Sequence, residues 1–260
     1  MNKELSYFDT IALEYESLYN DTVSLAENEI IKRLIIEHTK YSKKLSILDL
    51  WCWTWLIVDL LWEKIEKYYW IDISEEMIRI SHDKFPNSEK YTFLVEDINN
   101  STILNNTNNE KFNLIVSTFG SASYIKNLPD QLEIIYSKLE PEWIAFLMVY
   151  SCYSLHNLIT ADFGLWSISL QSNHPYLFRN DTWKLTNPPD GCFYNTTQLS
   201  AIAKNSSFSN HHILGLNFFL DRFKEKSSLS KDDCVIILEE EMSKFTIPDL
   251  AHSLILILHK

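Results

Sequence analysis

Short apolar runs of strand length alternate with stretches of helical spacing from Ile47 onward, the βαβ pattern of a parallel sheet. The runs predict strands over about 46–50, 68–73, 91–95, 112–117 and 144–150, with helices over 55–65, 74–84 and 129–139 between them. Ser74 ahead of Glu75-Glu76 reads as a helix cap followed by acidic residues in the first turn, and Phe85-Pro86 ends that helix. Upstream, Phe8, Ile11 and Tyr15 share one helical face, and a second amphipathic helix over 27–37 turns Ile30, Leu34 and Ile35 inward. The polar, Asn-rich stretch 99–110 reads as a surface loop. Residues 151–193 break the alternation, mixing aromatics with His156, His174, Arg179 and Pro188-Pro189. A helix then opens at Phe193 and runs to about 205, capped by Thr196 or Thr197; 213–220 and 252–258 read as two more strands.

An open parallel sheet binds ligands at the carboxyl ends of its strands. That rule brings Asp49, Asp72, Asp97 and Ser117 to one rim. A single Asp at a strand end is more often a turn residue; three on successive strands form a set. The turn after the first strand is anomalous. Backbone that must adopt positive φ and approach a ligand closely favours residues without a Cβ, yet Trp stands at 51, 53 and 55.

With glycine in place of those indoles, Ser46-Ile-Leu-Asp-Leu-Trp-Cys-Trp-Thr-Trp-Leu56 closely resembles the cofactor loop of class I S-adenosylmethionine-dependent methyltransferases. Tyr69-Trp70-Ile-Asp-Ile-Ser-Glu-Glu-Met77 is similar to that family's second strand, with Trp70 where glycine is usual. Pro141-Glu-Trp143 falls at its Pro-Gly-Gly turn, and Trp62 at a further common glycine position. Six of the eight Trp therefore occupy family glycine positions, while only 4 Gly remain in 260 residues, against an ordinary content of about 7%. Two readings stay open: a degenerate chain with genuine Trp, or UGA codons translated as Trp from a source that decodes them as glycine. The Asn-, Lys- and Ile-rich composition fits an AT-rich gene in which UGA is favoured.

The resemblance implies a Rossmann-like α/β fold: a doubly wound, mostly parallel, seven-stranded sheet whose last strand is antiparallel. It implies a helical lid over 1–45, a cofactor-binding core over 46–150, a substrate cap over 151–193 and completion of the sheet by 194–260. S-adenosyl-L-methionine would then meet Tyr15, Asp49, Trp51, Cys52, Trp53, Trp55, Asp72, Ile73, Met77, Asp97, Ile98, Ser117 and Phe119. In that arrangement Asp49 attracts the ammonium and Asp72 takes the ribose hydroxyls. Asp97 accepts from the adenine amino group, and Ile98 packs on the ring.

Composition narrows the acceptor. A net charge of −12 without a basic cluster repels a phosphate backbone, so nucleic acid is excluded as partner. No Asn-Pro-Pro-Tyr motif follows the fourth strand, which leaves a small-molecule methyl acceptor. Four scattered Cys offer no metal-ligand spacing. The N-terminus carries no signal pattern, and no apolar run spans a membrane, so a cytoplasmic protein is expected. A catalytic base is needed only where the acceptor loses a proton; Tyr124, His156, His174 and Tyr194 are the candidates, each more often structural than catalytic. Two rivals remain. One is a methyltransferase-fold binding module without activity; the other, a nicotinamide-dependent oxidoreductase, requires glycine spacing that positions 51, 53 and 55 do not match.

Overall fold

The computed structural model describes residues 8–13, 15, 22–51, 56–86, 89–100, 107, 110–154, 166–169, 176–179, 191–218, 234–245 and 247–260. Helix α1 (Thr22–Thr39) precedes β1 (Leu45–Leu50), α2 (Leu56–Leu61), β2 (Ile65–Asp72), α3 (Glu75–Lys84), β3 (Tyr91–Val95) and β4 (Phe112–Ser117). Then come α4 (Leu128–Lys138), β5 (Leu139–Ser151), β6 (Trp166–Ser169), β7 (Tyr176–Arg179), β8 (Gly191–Tyr194), α5 (Thr196–Lys204), β9 (Asn210–Leu216), α6 (Cys234–Phe245) and β10 (Ser253–His259). Strands β3, β2, β1, β4 and β5 lie side by side and parallel. Strand β10 runs antiparallel to both β5 and β9 and joins them. This is the expected doubly wound sheet with its antiparallel last strand.

The pleat explains the burial. In a sheet covered on both faces, successive side chains enter opposite cores. Leu48, Leu50, Ile71, Ile115 and Leu147 enter one apolar cluster with Leu132 of α4 and Leu199 of α5. Ile47, Tyr68, Trp70, Val116 and Phe146 enter the other, with Ile31 of α1 and Ile57 of α2. Each fully buried aliphatic side chain contributes about 1.5–3 kcal/mol relative to exposure. Phe8, Ile11 and Tyr15 are all buried in the first cluster, so the N-terminal aromatic face packs on the core.

Several boundaries differ from the pattern reading. The helix expected over 55–65 stops at Leu61, and β2 starts at Ile65, which pairs with Leu45. Glu66 and Lys67 concealed this start, because they lie at the solvent end of the sheet. Helix α5 is capped by Asn195, not by Thr196 or Thr197: its side chain accepts from Gln198 N, and Gln198 answers to the Asn195 backbone in a capping box. The Thr196 hydroxyl is engaged elsewhere, donating to Asp249 at 2.7 Å. Phe193, expected to open that helix, lies in β8, which pairs parallel with the far end of β5. Beyond it β7 and β6 continue antiparallel, so among the described residues the sheet has three strands more than expected. Helix α6 fell in a stretch with no assigned element.

Candidate active site

Each acidic residue of the set closes a strand. Asp49 is next to last in β1, Asp72 is last in β2, and Asp97 follows β3 by two residues. Local hydrogen bonds fix them. Asp72 Oδ1 accepts from Ser74 N at 2.8 Å, while the Asp72 carbonyl accepts from Glu96 N at 2.8 Å and ties β2 to the chain leaving β3. Ser74 Oγ accepts from Met77 N, capping α3, and donates to Asp9 Oδ1 at 2.5 Å. The N-terminal segment is thus anchored at this corner. Asp97 Oδ1 accepts from the backbone N of Asn99 at 2.8 Å and its Nδ2 at 3.2 Å. The Asn99 side chain in turn meets the Tyr124 carbonyl and Lys126 N, which joins the ends of β3 and β4.

Asp49 differs from the other two. It shares a face with Tyr68 and Asp72, and its Oδ2 accepts from the Tyr68 hydroxyl at 2.7 Å. Among the described residues, Oδ1 meets no donor although it is buried. Burial pushes this carboxyl up to about 8; the Tyr68 hydrogen bond opposes the rise, and the charge of Asp72 adds to it. Asp49 is therefore a buried acid with an unused acceptor, facing the same region as a second carboxylate.

A cleft of about 200 Å³ opens where the three strands end, lined by Leu50, Trp51, Ile71, Asp72, Ile73, Glu96, Asp97 and Ile98. Five residues expected at the cofactor, Trp51, Asp72, Ile73, Asp97 and Ile98, meet here. Asp49 lies behind them, and Tyr15 and Met77 are buried in the apolar cluster that holds Trp51 and Ile98. Ser117 is buried with its hydroxyl 2.5 Å from that of Ser121, and Phe119 packs in the opposite cluster. Tyr124 leans on Trp51, with ring centroids 5.5 Å apart, and meets Phe8 edge-on at 6.0 Å. Tyr194 is buried in β8. Cys52, Trp53, Trp55, His156 and His174 lie outside the described residues. Sequence reasoning missed Tyr68, although strand alternation puts it on the Asp49 face. It also missed the contact between Asp9 and Ser74, which no local pattern signals.

The donor set fits a cofactor with a ribose diol, an adenine edge and a cationic methionine end. Asp72 and Asp97 line the cleft, and the spare oxygen of Asp49 is an acceptor for a cation. One residue does not fit. The Trp51 indole forms part of the cleft wall and packs against Phe8 at 5.5 Å, so a bulky ring stands where the loop should leave space.

The sequence model of the ubiE/COQ5 methyltransferase family matches residues 2–181. The chain belongs to this family. A curated relative whose name assigns it to the methyltransferases, YqeM of Bacillus subtilis (strain 168), is 28% identical over 144 residues. The match takes in 54% of this chain and 56% of the relative, so the chain spans about half the length of that protein. Among solved structures, an S-adenosylmethionine-dependent methyltransferase from Clostridium acetobutylicum ATCC 824 superposes with a TM-score of 0.59 at 16% identity, covering 98% of each chain. Streptomyces venezuelae DesVI gives 0.58 at 14% identity over 96% of this chain and 98% of its own. The CcbJ methyltransferase of Streptomyces caelestis gives 0.58 at 9% identity over 100% and 99%. These structures share the fold. Membership implies S-adenosylmethionine as the cofactor, and it sets aside the nicotinamide reading. Among the described residues, no helix of this protein is long and apolar enough to cross a membrane.

Proposed function

We propose that the protein transfers a methyl group to a small-molecule acceptor, with the cofactor held at the carboxyl ends of β1, β2 and β3. The observation that carries the proposal is the meeting of Asp72, Asp97 and Ile98 in one cleft with Asp49 behind it. When bound, S-adenosylmethionine supplies an electrophilic methyl on a sulfonium. Asp72 holds the ribose hydroxyls, Asp97 accepts from the adenine amino group, and Ile98 packs on the ring. Asp49 draws the ammonium and becomes ionised as it does so. The protein's further task is alignment. Holding nucleophile and methyl in line contributes up to roughly 7–11 kcal/mol in favourable cases.

The N-terminal segment through Tyr15 closes over the cofactor as a lid; the anchoring of Asp9 on Ser74 supports that role. Residues 151–193, inserted after β5, select the acceptor. The net charge of −12 favours a small neutral or cationic molecule over a polyanion. The test is to incubate the protein from its native source with methyl-labelled cofactor and a metabolite extract. Label is expected in a small organic product. Label confined to nucleic acid or protein overturns the acceptor class, and no transfer from any extract overturns the enzymatic reading. A second reading, a binding module that keeps the fold without the cofactor, is favoured by one observation, the Trp51 indole in the cleft wall.

A further inference from the structure

Trp51 directly follows β1 at the point where the chain must leave the sheet for α2, and its φ is +145°. Glycine enters this region freely, whereas a residue with a Cβ is rarely found there. The three other described non-glycine residues with positive φ, Phe119, Glu142 and Asn217, lie between 54° and 69°. That is the left-handed helical well, which side chains do visit. Trp51 lies far beyond it. Backbone and side chain thus conflict at one position: the turn asks for no Cβ, and the residue there places an indole in the wall of the cleft lined by Asp72 and Asp97.

A second indole, stacked on Phe93 with ring centroids 4.6 Å apart, carries one polar cost. Trp70, opposite Asp49 in β2, is fully buried, and among the described residues its Nε1 finds no acceptor. An ordinary glycine, Gly120, shows what this chain does elsewhere. Its φ is +75°, and a Cβ there would lie 2.5 Å from the Tyr150 ring. The chain keeps glycine at that turn and has Trp at the more demanding one. One event accounts for both facts. UGA differs from the Trp codon UGG in its last base and is decoded as Trp in some genetic codes and as glycine in others. Misassignment converts UGA glycines to Trp and leaves glycines encoded by the GGN codons untouched.

We infer that residue 51 is glycine in the polypeptide made by the source cell, and that the Trp at 51 stands for a UGA codon read there as glycine. The inference deepens the cofactor reading and rests on it for what fills the freed space; the identity of residue 51 does not depend on that reading. Trypsin acting at Lys44 and Lys64 releases residues 45–64 as one peptide containing positions 51, 53, 55 and 62. Tandem mass spectrometry of this peptide from natively sourced protein reads the residue directly. Glycine at 51 is expected, and tryptophan at 51 overturns the inference.

Calorimetry with S-adenosylmethionine separates the two questions. The chain as written is expected to show no binding. A variant carrying Trp51→Gly, Trp53→Gly and Trp55→Gly should bind. Replacing Trp51→Gly by Trp51→Ala in that variant should weaken binding at least tenfold, because the freed volume remains but the Cβ returns. Tight binding by the chain as written overturns the claim that the indole obstructs the cleft. Glycine in the native peptide together with no binding by the triple variant leaves residue 51 established and removes the cofactor reading.

Discussion

The two ends of the sheet handle charge in opposite ways. At the amino ends of the strands, Lys44 donates to Glu66 at 2.7 Å and Lys67 to Glu110 at 2.6 Å. The hydrogen bond from Lys44 holds the Glu66 carboxyl below its usual value, and the Glu110 hydrogen bond raises the Lys67 amine. Glu66, Lys67 and Glu110 line an open polar groove of about 660 Å³. At the carboxyl ends, Asp49 is buried, raised rather than lowered, and pushed further up by Asp72. The positive-φ residues Trp51, Phe119 and Gly120 also fall at this end. Solvated ion pairs at one end add little to stability. The other end retains a buried acid and strained backbone, features that cost the fold stability.

Substitutions at each end sharpen this contrast. The largest effect is expected at Asp49. Its folded carboxyl takes up a proton at a higher pH than the unfolded one, so the folded state holds more protons between the ordinary value of 3.8 and about 8. The stability from this group is complete below that window and is lost as pH rises through it, with a slope of up to about 1.4 kcal/mol per pH unit. Asp49→Asn should flatten the pH dependence and raise the melting temperature near pH 8; a curve parallel to the parent's means the acid is not buried as described. Next is Asp72→Ala in the chain with glycine restored at 51, 53 and 55. Losing a charged hydrogen-bonding group of about 1.5–3 kcal/mol should weaken S-adenosylmethionine binding on the order of 10²-fold by calorimetry. Undiminished affinity would take Asp72 out of the site.

Tyr68→Phe removes the donor to Asp49 and should cost about 1–3 kcal/mol in denaturant unfolding, with the Asp49 carboxyl moving higher still. At the opposite end, Lys67→Met should change stability by no more than about 1 kcal/mol, and less in high salt, without altering cofactor affinity. A large effect there would erase the asymmetry.

The parallel core was legible because each strand is buried on both faces and reads as an apolar run. The limits of β3 and β4 follow directly from Tyr91–Val95 and Phe112–Ser117, and the Ser74 cap sits where hydroxyl and acidic residues announce it. Polar residues inside elements were misleading. Glu66 and Lys67 lie near the start of β2, after Ile65, because that end of the strand meets water and answering charges. Three adjacent polar side chains could each cap α5, and the choice of Asn195 reflects the capture of Thr196 by Asp249. The acidic set was visible as strand-end spacing. Its electrostatics were not, since the proton on Asp49 depends on Tyr68, 19 positions away, and on how deeply both are enclosed.

Strand β10 bonds along its whole length to β5 on one side and β9 on the other. Ribosomal synthesis proceeds from the amino end, so β1 to β5 emerge while the place of this strand is still open. Until Ser253–His259 arrives, β5 presents a bare edge and β9 has no neighbour to register against. The nascent protein therefore has an interval in which its central strand is exposed to pairing with other chains, and chaperone protection matters most during that interval.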